Sequence, residues 1–141
     1  MLGAAAFAAI PGMAQTSQAP AGQTTAGRLR FEAREATWMA PDLSPDGRTI
    51  LFDLLGDIYA LDAAGGTARP LLAGDAFETQ PVFSPDGKRI AFISDKSGAA
   101  NLWVADADGS NARKLSGDTD PAIYTSPAWS PDGRFVYVFR T

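Results

Sequence analysis

The sequence has no cysteine and no histidine in its 141 residues. Without cysteine there are no disulfides, no thiolate nucleophile and no cysteine-ligated zinc. The redox compartment stays open, because proteins of oxidising compartments often lack disulfides too. Without histidine there is no imidazole base for a serine triad and no imidazole for the usual catalytic zinc sites. Neither site is assembled from this chain alone. Positive charge is also short: 12 Lys and Arg stand against 16 Asp and Glu, a net charge of −4. An acidic surface repels phosphate, which argues against a nucleic-acid partner and against an anionic membrane surface. Long apolar runs are missing as well. The run over residues 2–10, LGAAAFAAI, is far shorter than the about 20 residues that span a bilayer, so no membrane span is expected. What remains is ordinary for a globular protein, with 45% apolar and 20% charged residues. The length allows one domain with a core of its own.

The apolar run fits the hydrophobic part of a secretory signal. Pro11-Gly12 ends it, and Gly12-Met13-Ala14 places small residues at −3 and −1 of a cleavage before Gln15. A second candidate cleavage follows Ala21. The positive segment that should precede the run is missing, since the first cation is Arg28; a late start codon or a truncated reading frame accounts for that. Residues 15–27 are small, polar and Pro/Gly-containing, which is linker composition. The expected organisation is a signal peptide over 1–14, a disordered linker over 15–36 and a folded region over 37–141, in a periplasmic or secreted protein.

The folded region is organised by repetition. Ser-Pro-Asp-Gly occurs at residues 44–47, 84–87 and 130–133, a period in the range of propellers and other repeat arrays. The match extends on both sides of the tetrapeptide. Pro41, Pro81 and Pro127 precede it, and Arg48, Lys88 and Arg134 follow it. Ile50/Ile90/Val136 and Phe52/Phe92/Val138 continue the register. Asp57-Ile58-Tyr59 then matches Asn101-Leu102-Trp103, and Asp62, Gly65, Arg69 and Leu71 match Asp106, Gly109, Arg113 and Leu115. The second copy carries four extra residues near 96–99, as expected of a surface hairpin tip.

Each unit reads as four short strands. A first strand around 41–44 leads into Ser-Pro-Asp-Gly, which suits a type I turn: Ser at i, Pro pre-set at i+1, Asp at i+2 and Gly at i+3. Residues 49–54, 89–94 and 135–140 form a second strand, apolar enough to be buried on both faces. Residues 57–61 and 101–105 form a third, and 68–72 and 112–115 a fourth, with Asp/Gly turns between. Four antiparallel strands per unit make one propeller blade. The predicted fold is all-β, a partial β-propeller of two complete four-stranded blades and the start of a third. Because propellers close with four to eight blades, the chain is expected to be a fragment of a longer protein, poorly stable alone.

These repeats resemble the TolB-like (WD40-like) propeller repeat, marked by the strand and turn ending in Ser-Pro-Asp-Gly. Such blades occur in the TolB periplasmic protein, in tricorn-like and prolyl-oligopeptidase-like peptidases, and in exported amidohydrolases with an N-terminal propeller. Thr37-Trp38-Met39, followed by Phe52-Asp53-Leu54-Leu55-Gly56-Asp57-Ile58-Tyr59, resembles the first blade of the exported amidohydrolases. That resemblance implies a non-catalytic scaffold or substrate-access segment ahead of a hydrolase domain, with a divalent metal held downstream and no cofactor here. The implied partner is that downstream domain or a periplasmic protein. The alternatives are a TolB-like protein-binding scaffold and the propeller of a prolyl-oligopeptidase-like peptidase.

No catalytic, cofactor or metal residue is assigned within the chain. Asp106-Ala107-Asp108-Gly109-Ser110-Asn111 has calcium-ligand residue types, but its glycine and acidic positions do not fit a calcium loop; a hairpin turn explains it. Asp46, Asp86 and Asp132 recur at equivalent turns, so turn geometry accounts for them. Ser44, Ser84 and Ser130 lack an activating base. Tyr59, Trp103 and Trp129 are read as repeat-equivalent core residues. Arg69 and Arg113 are read as members of salt bridges between blades. The loops over 53–57 and 94–101 are placed on a propeller face, within reach of a partner.

Overall fold

The structure, a computed structural model, describes Glu35, residues 39–117 and residues 122–141. The signal and linker assignments and the Thr37-Trp38 part of the amidohydrolase resemblance lie outside the described residues.

Residues 39–141 form one compact unit. In chain order the strands are β1 (Asp42–Leu43), β2 (Thr49–Leu54), β3 (Asp57–Asp62), β4 (Arg69–Leu72), β5 (Glu78–Phe83), β6 (Arg89–Ser94), β7 (Asn101–Asp106), β8 (Arg113–Lys114), β9 (Tyr124–Trp129) and β10 (Val136–Arg140). They pair as two four-stranded sheets in sequential order, β1 to β4 and β5 to β8, followed by the hairpin β9–β10. All neighbours are antiparallel. The fold is therefore an all-β partial propeller: two blades and the first hairpin of a third.

The continuous apolar character of β6 follows from its position between two neighbours. Successive side chains of a strand point to opposite faces. Ile90 and Phe92 enter a core with Leu51, Ile58 and Ala60 of the first blade. Ala91 and Ile93, on the other face, enter a second core with Tyr124, Trp129, Val136 and Val138 of the third unit. One strand thus supplies both inter-blade cores. Leu51, Ile58 and Ile90 are fully buried, and each contributes roughly 1.5–3 kcal/mol by leaving water.

The strand bounds depart from expectation where packing changes. β5 and β9 are six residues long because the chain upstream of the repeated Pro also pairs: Glu78 and Thr79 lie opposite Ser94 and Ile93. Gln80 and Ser126 then adopt left-handed φ values of 56° and 54°, and the β5 register shifts between Thr79 and Val82. β4 and β8 are shorter than expected, because the outer strand is a sheet edge with a neighbour on one side only. β10 begins at Val136 and is not buried on both faces: Tyr137 and Phe139 are 61% and 71% exposed. Only Val136 and Val138 of this strand pack against the second blade's core.

Candidate functional site

The Ser-Pro-Asp-Gly turns are built alike in all three units. The glycine N–H donates to the serine carbonyl at 2.8–2.9 Å, the i to i+3 bond of a β-turn. The serine hydroxyl donates to the aspartate Oδ1: Ser44 to Asp46 at 2.5 Å, Ser84 to Asp86 and Ser130 to Asp132 at 2.6 Å. The same Oδ1 accepts the N–H of Arg48, Lys88 or Arg134 at 3.1 Å. The serine Oγ accepts the N–H of Thr49, Arg89 or Phe135. These hydrogen bonds hold the carboxyls of Asp46, Asp86 and Asp132 below the usual aspartate range. The three serines and three aspartates are committed to turn geometry, and none faces a reactive partner.

Across the first strands, polar side chains cap the backbone of neighbouring units. Asp53, buried on β2, accepts the N–H of Ala40 at 2.7 Å and that of Gln80 at 2.9 Å. Gln80 Oε1 in turn accepts the N–H of Ser126 at 2.6 Å. The donors are repeat-equivalent residues, each one position before the repeated proline. Two further bonds tie consecutive first strands: Phe83 N–H donates to Asp42 Oδ2 at 2.7 Å, and Trp129 Nε1–H donates to the Val82 carbonyl at 3.2 Å.

Four of these residues, Ala40, Gln80, Val82 and Ser126, line a groove of about 350 Å³ together with Pro41, Pro81 and Pro127. It runs where the first strands of the three units converge, which in a propeller is the side of the central channel. Its lining is small, apolar or neutral, with no ionisable side chain. Its polar side chains are those of Gln80 and Ser126.

Asp106–Asn111 is a closed turn. Asp106 Oδ2 accepts Asn111 Nδ2 at 2.6 Å, and Asp108 Oδ1 accepts both the hydroxyl and the N–H of Ser110. Those last two bonds lower the Asp108 carboxyl, with Arg69 adding to the effect. Among the described residues no cluster of three or more metal-ligating side chains occurs. Arg69, on β4 of the first blade, is thus close enough to Asp108 of the second to act on its carboxyl. Both Arg69 and Arg113 are exposed. Tyr59 and Trp103 are equivalent, lying opposite Phe52 and Phe92. Trp129 is not their counterpart: it ends β9, in the place of Phe83, and the Arg89 guanidinium lies 4.8 Å from its ring centroid.

Gln80 and Glu78, unassigned from sequence, carry weight here, and Asp53, expected in a loop on a propeller face, is instead buried on β2. Asp53 and Gln80 are the caps just described. Glu78 is 7% exposed and its Oε2 has no hydrogen-bond partner. Burial pushes its carboxyl up; Asp57 and Asp95 add to the shift and Lys96 opposes it. The available signal was a charged residue inside an apolar strand pattern, as in Thr49–Leu54.

Comparison with known proteins agrees with this architecture. Residues 23–141 match the TolB beta propeller domain family. The Tol-Pal system protein TolB of Anaeromyxobacter dehalogenans is 46% identical over 96 residues, 64% of this chain and 21% of that protein. YuxL of Bacillus subtilis, described as an uncharacterized peptidase, is 34% identical over 110 residues, covering 70% of this chain and 16% of its own length. The chain thus spans about a fifth of the length of these relatives. Among solved structures, a putative TolB from Agrobacterium tumefaciens aligns with a TM-score of 0.64 and 29% identity over 71% of this chain and 37% of that one. The tricorn protease shares the fold, with a TM-score of 0.55 and 16% identity over 72% of this chain and 11% of its own. The chain belongs to the TolB β-propeller domain family.

Proposed function

We propose that this chain is the non-catalytic propeller segment of an exported amidohydrolase-like protein, a metal-dependent hydrolase of C–N bonds. It acts there as scaffold or as the segment through which substrate gains access to a downstream hydrolase domain. The observation that carries the reading is the groove itself. It is lined by repeat-equivalent residues and contains no ionisable group, and the Gln80 side chain beside it is taken up in capping Ser126. The resemblance of residues 52–59 to the first blade of such proteins supports the parent assignment. The apolar run near the N-terminus supports a periplasmic or secreted location. Among the described residues, no helix is long and apolar enough to cross a membrane.

The test uses the protein expressed from its complete reading frame. Gln80→Trp and Ser126→Trp narrow the groove. The expected result is a lower kcat/KM for bulky amide substrates, little change for the smallest, and activity abolished by chelation. Equal activity on all substrates would remove the access role, and hydrolysis by residues 1–141 alone would remove the non-catalytic reading. A second reading, the propeller of a serine peptidase, is favoured by the similarity to YuxL. A Gly-x-Ser-x-Gly elbow later in the reading frame would establish it in place of the first.

A further inference from the structure

The turn between β2 and β3 breaks a local rule. Its two residues are Leu55 and Gly56, at φ 55° and 88°. Two-residue hairpins with both φ values positive favour Asn, Asp or Gly at the first position. A leucine held in the left-handed region is strained. Leu55 recovers nothing by burial, being 74% exposed. Strain of this kind, with no local compensation, is a mark of function.

Phe77 stands beside it, 60% exposed. Its N–H donates to Asp95 Oδ1 at 2.7 Å, and its carbonyl accepts the Asp95 N–H at 3.3 Å. The next residue, Glu78, donates its N–H to the Gly56 carbonyl at 2.8 Å. The Phe77 ring lies so close over Gly56 that a Cβ there would sit 2.7 Å from Cδ2. The aromatic ring is therefore displayed to solvent from a backbone pinned on three sides. An apolar side chain held rigid in water loses little entropy when it is covered, as the anchors of binding surfaces do.

The surroundings are acidic. Asp57 Oδ1 accepts the Gly74 N–H at 3.1 Å, Asp95 holds Phe77, and Asp75, which is exposed, follows Gly74 two residues before Phe77 in the chain. Glu78 is buried beneath and feels both Asp57 and Asp95. Lys96 opposes them at Glu78, and its Nζ lies 5.9 Å from the Trp103 ring centroid.

We infer that Leu55 and Phe77 form a docking knob for a segment of a separate protein, one that presents an apolar side chain between lysines or arginines. The two exposed side chains cover the partner's apolar residue, and Asp57, Asp75 and Asp95 attract its cations. The site lies on the loops that join the strands, apart from the groove, and is independent of which enzyme the propeller serves.

Fluorescence anisotropy with a short labelled peptide of lysine and leucine tests this. A peptide with glutamate in place of lysine is the charge control. Leu55→Asn removes the apolar group and relieves the turn, so this variant should melt no lower than the parent. The expected result is binding of the lysine peptide alone, weakened by added salt, and reduced about tenfold or more by Leu55→Asn and by Phe77→Ser. Tyr137→Ser and Phe139→Ser alter equally exposed apolar groups on β10 and should leave binding unchanged. The inference is overturned if the parent does not bind, if both peptides bind alike, or if Leu55→Asn binds as the parent does.

Discussion

At the scale of single residues, the polar side chains divide by whether their bonding is complete. Ser84 is fully buried, and its Oγ bonds both Asp86 and the Arg89 N–H. Ser84→Ala leaves that N–H without its side-chain acceptor, and chemical denaturation should show a loss of about 1–3 kcal/mol. Glu78 is the opposite case, a buried carboxyl with an unpaired oxygen. Its folded pKa is raised above the ordinary 4.5, so the folded state binds a proton that the unfolded state releases more easily. Above the folded pKa Glu78 costs stability, and the cost fades as pH falls toward the unfolded value. Glu78→Gln should therefore raise the melting temperature at neutral pH, with the gap to the parent closing as the medium is acidified. A gap constant with pH would contradict this. The turn aspartates work in the other direction: their lowered pKa values stabilise the fold above pH 3.8, and this support is lost in stronger acid. That acid limb should persist in Glu78→Gln.

At the scale of strands and turns, much was legible in the sequence. The three Ser-Pro-Asp-Gly turns, the two complete blades and the hairpin-tip insertion could be read because each depends on local chemistry: a preset proline, a short polar side chain, a glycine at positive φ. The β6–β7 loop is longer than the Leu55-Gly56 turn by the four residues foreseen. What could not be read depends on partners distant in sequence. Asp53, expected in a face loop, is instead held in β2 by the Ala40 and Gln80 N–H groups, which lie 13 and 27 residues away in sequence. The groove could not be foreseen either, because it exists only where three first strands converge. Asp53→Ala should cost about 3 kcal/mol by removing two charge-assisted bonds, read by urea denaturation; a neutral outcome would show that these bonds carry no weight. Gly109 makes a similar point from the backbone side. It has φ 85°, and a Cβ there would lie 2.7 Å from the Leu71 carbonyl oxygen of the preceding blade. Gly109→Ala should lower the melting temperature by straining both the turn and the blade junction.

At the scale of the molecule, blades cohere because neighbouring sheets share one apolar core, while side-chain caps fix the first strands in sequence. The cores are not the property of single blades: Phe92 of the second blade packs with Leu51 and Ile58 of the first. Truncating it leaves a cavity costing about 3–5 kcal/mol, and that loss should be felt on both sides of the junction. Amide hydrogen exchange of the parent chain and of Phe92→Ala measures this directly. The amides of β2 and β3 should lose protection together with those of β6 and β7, by the same free energy. If protection falls in the second blade while the first keeps its own, the blades are independent folding units and the shared-core account is wrong.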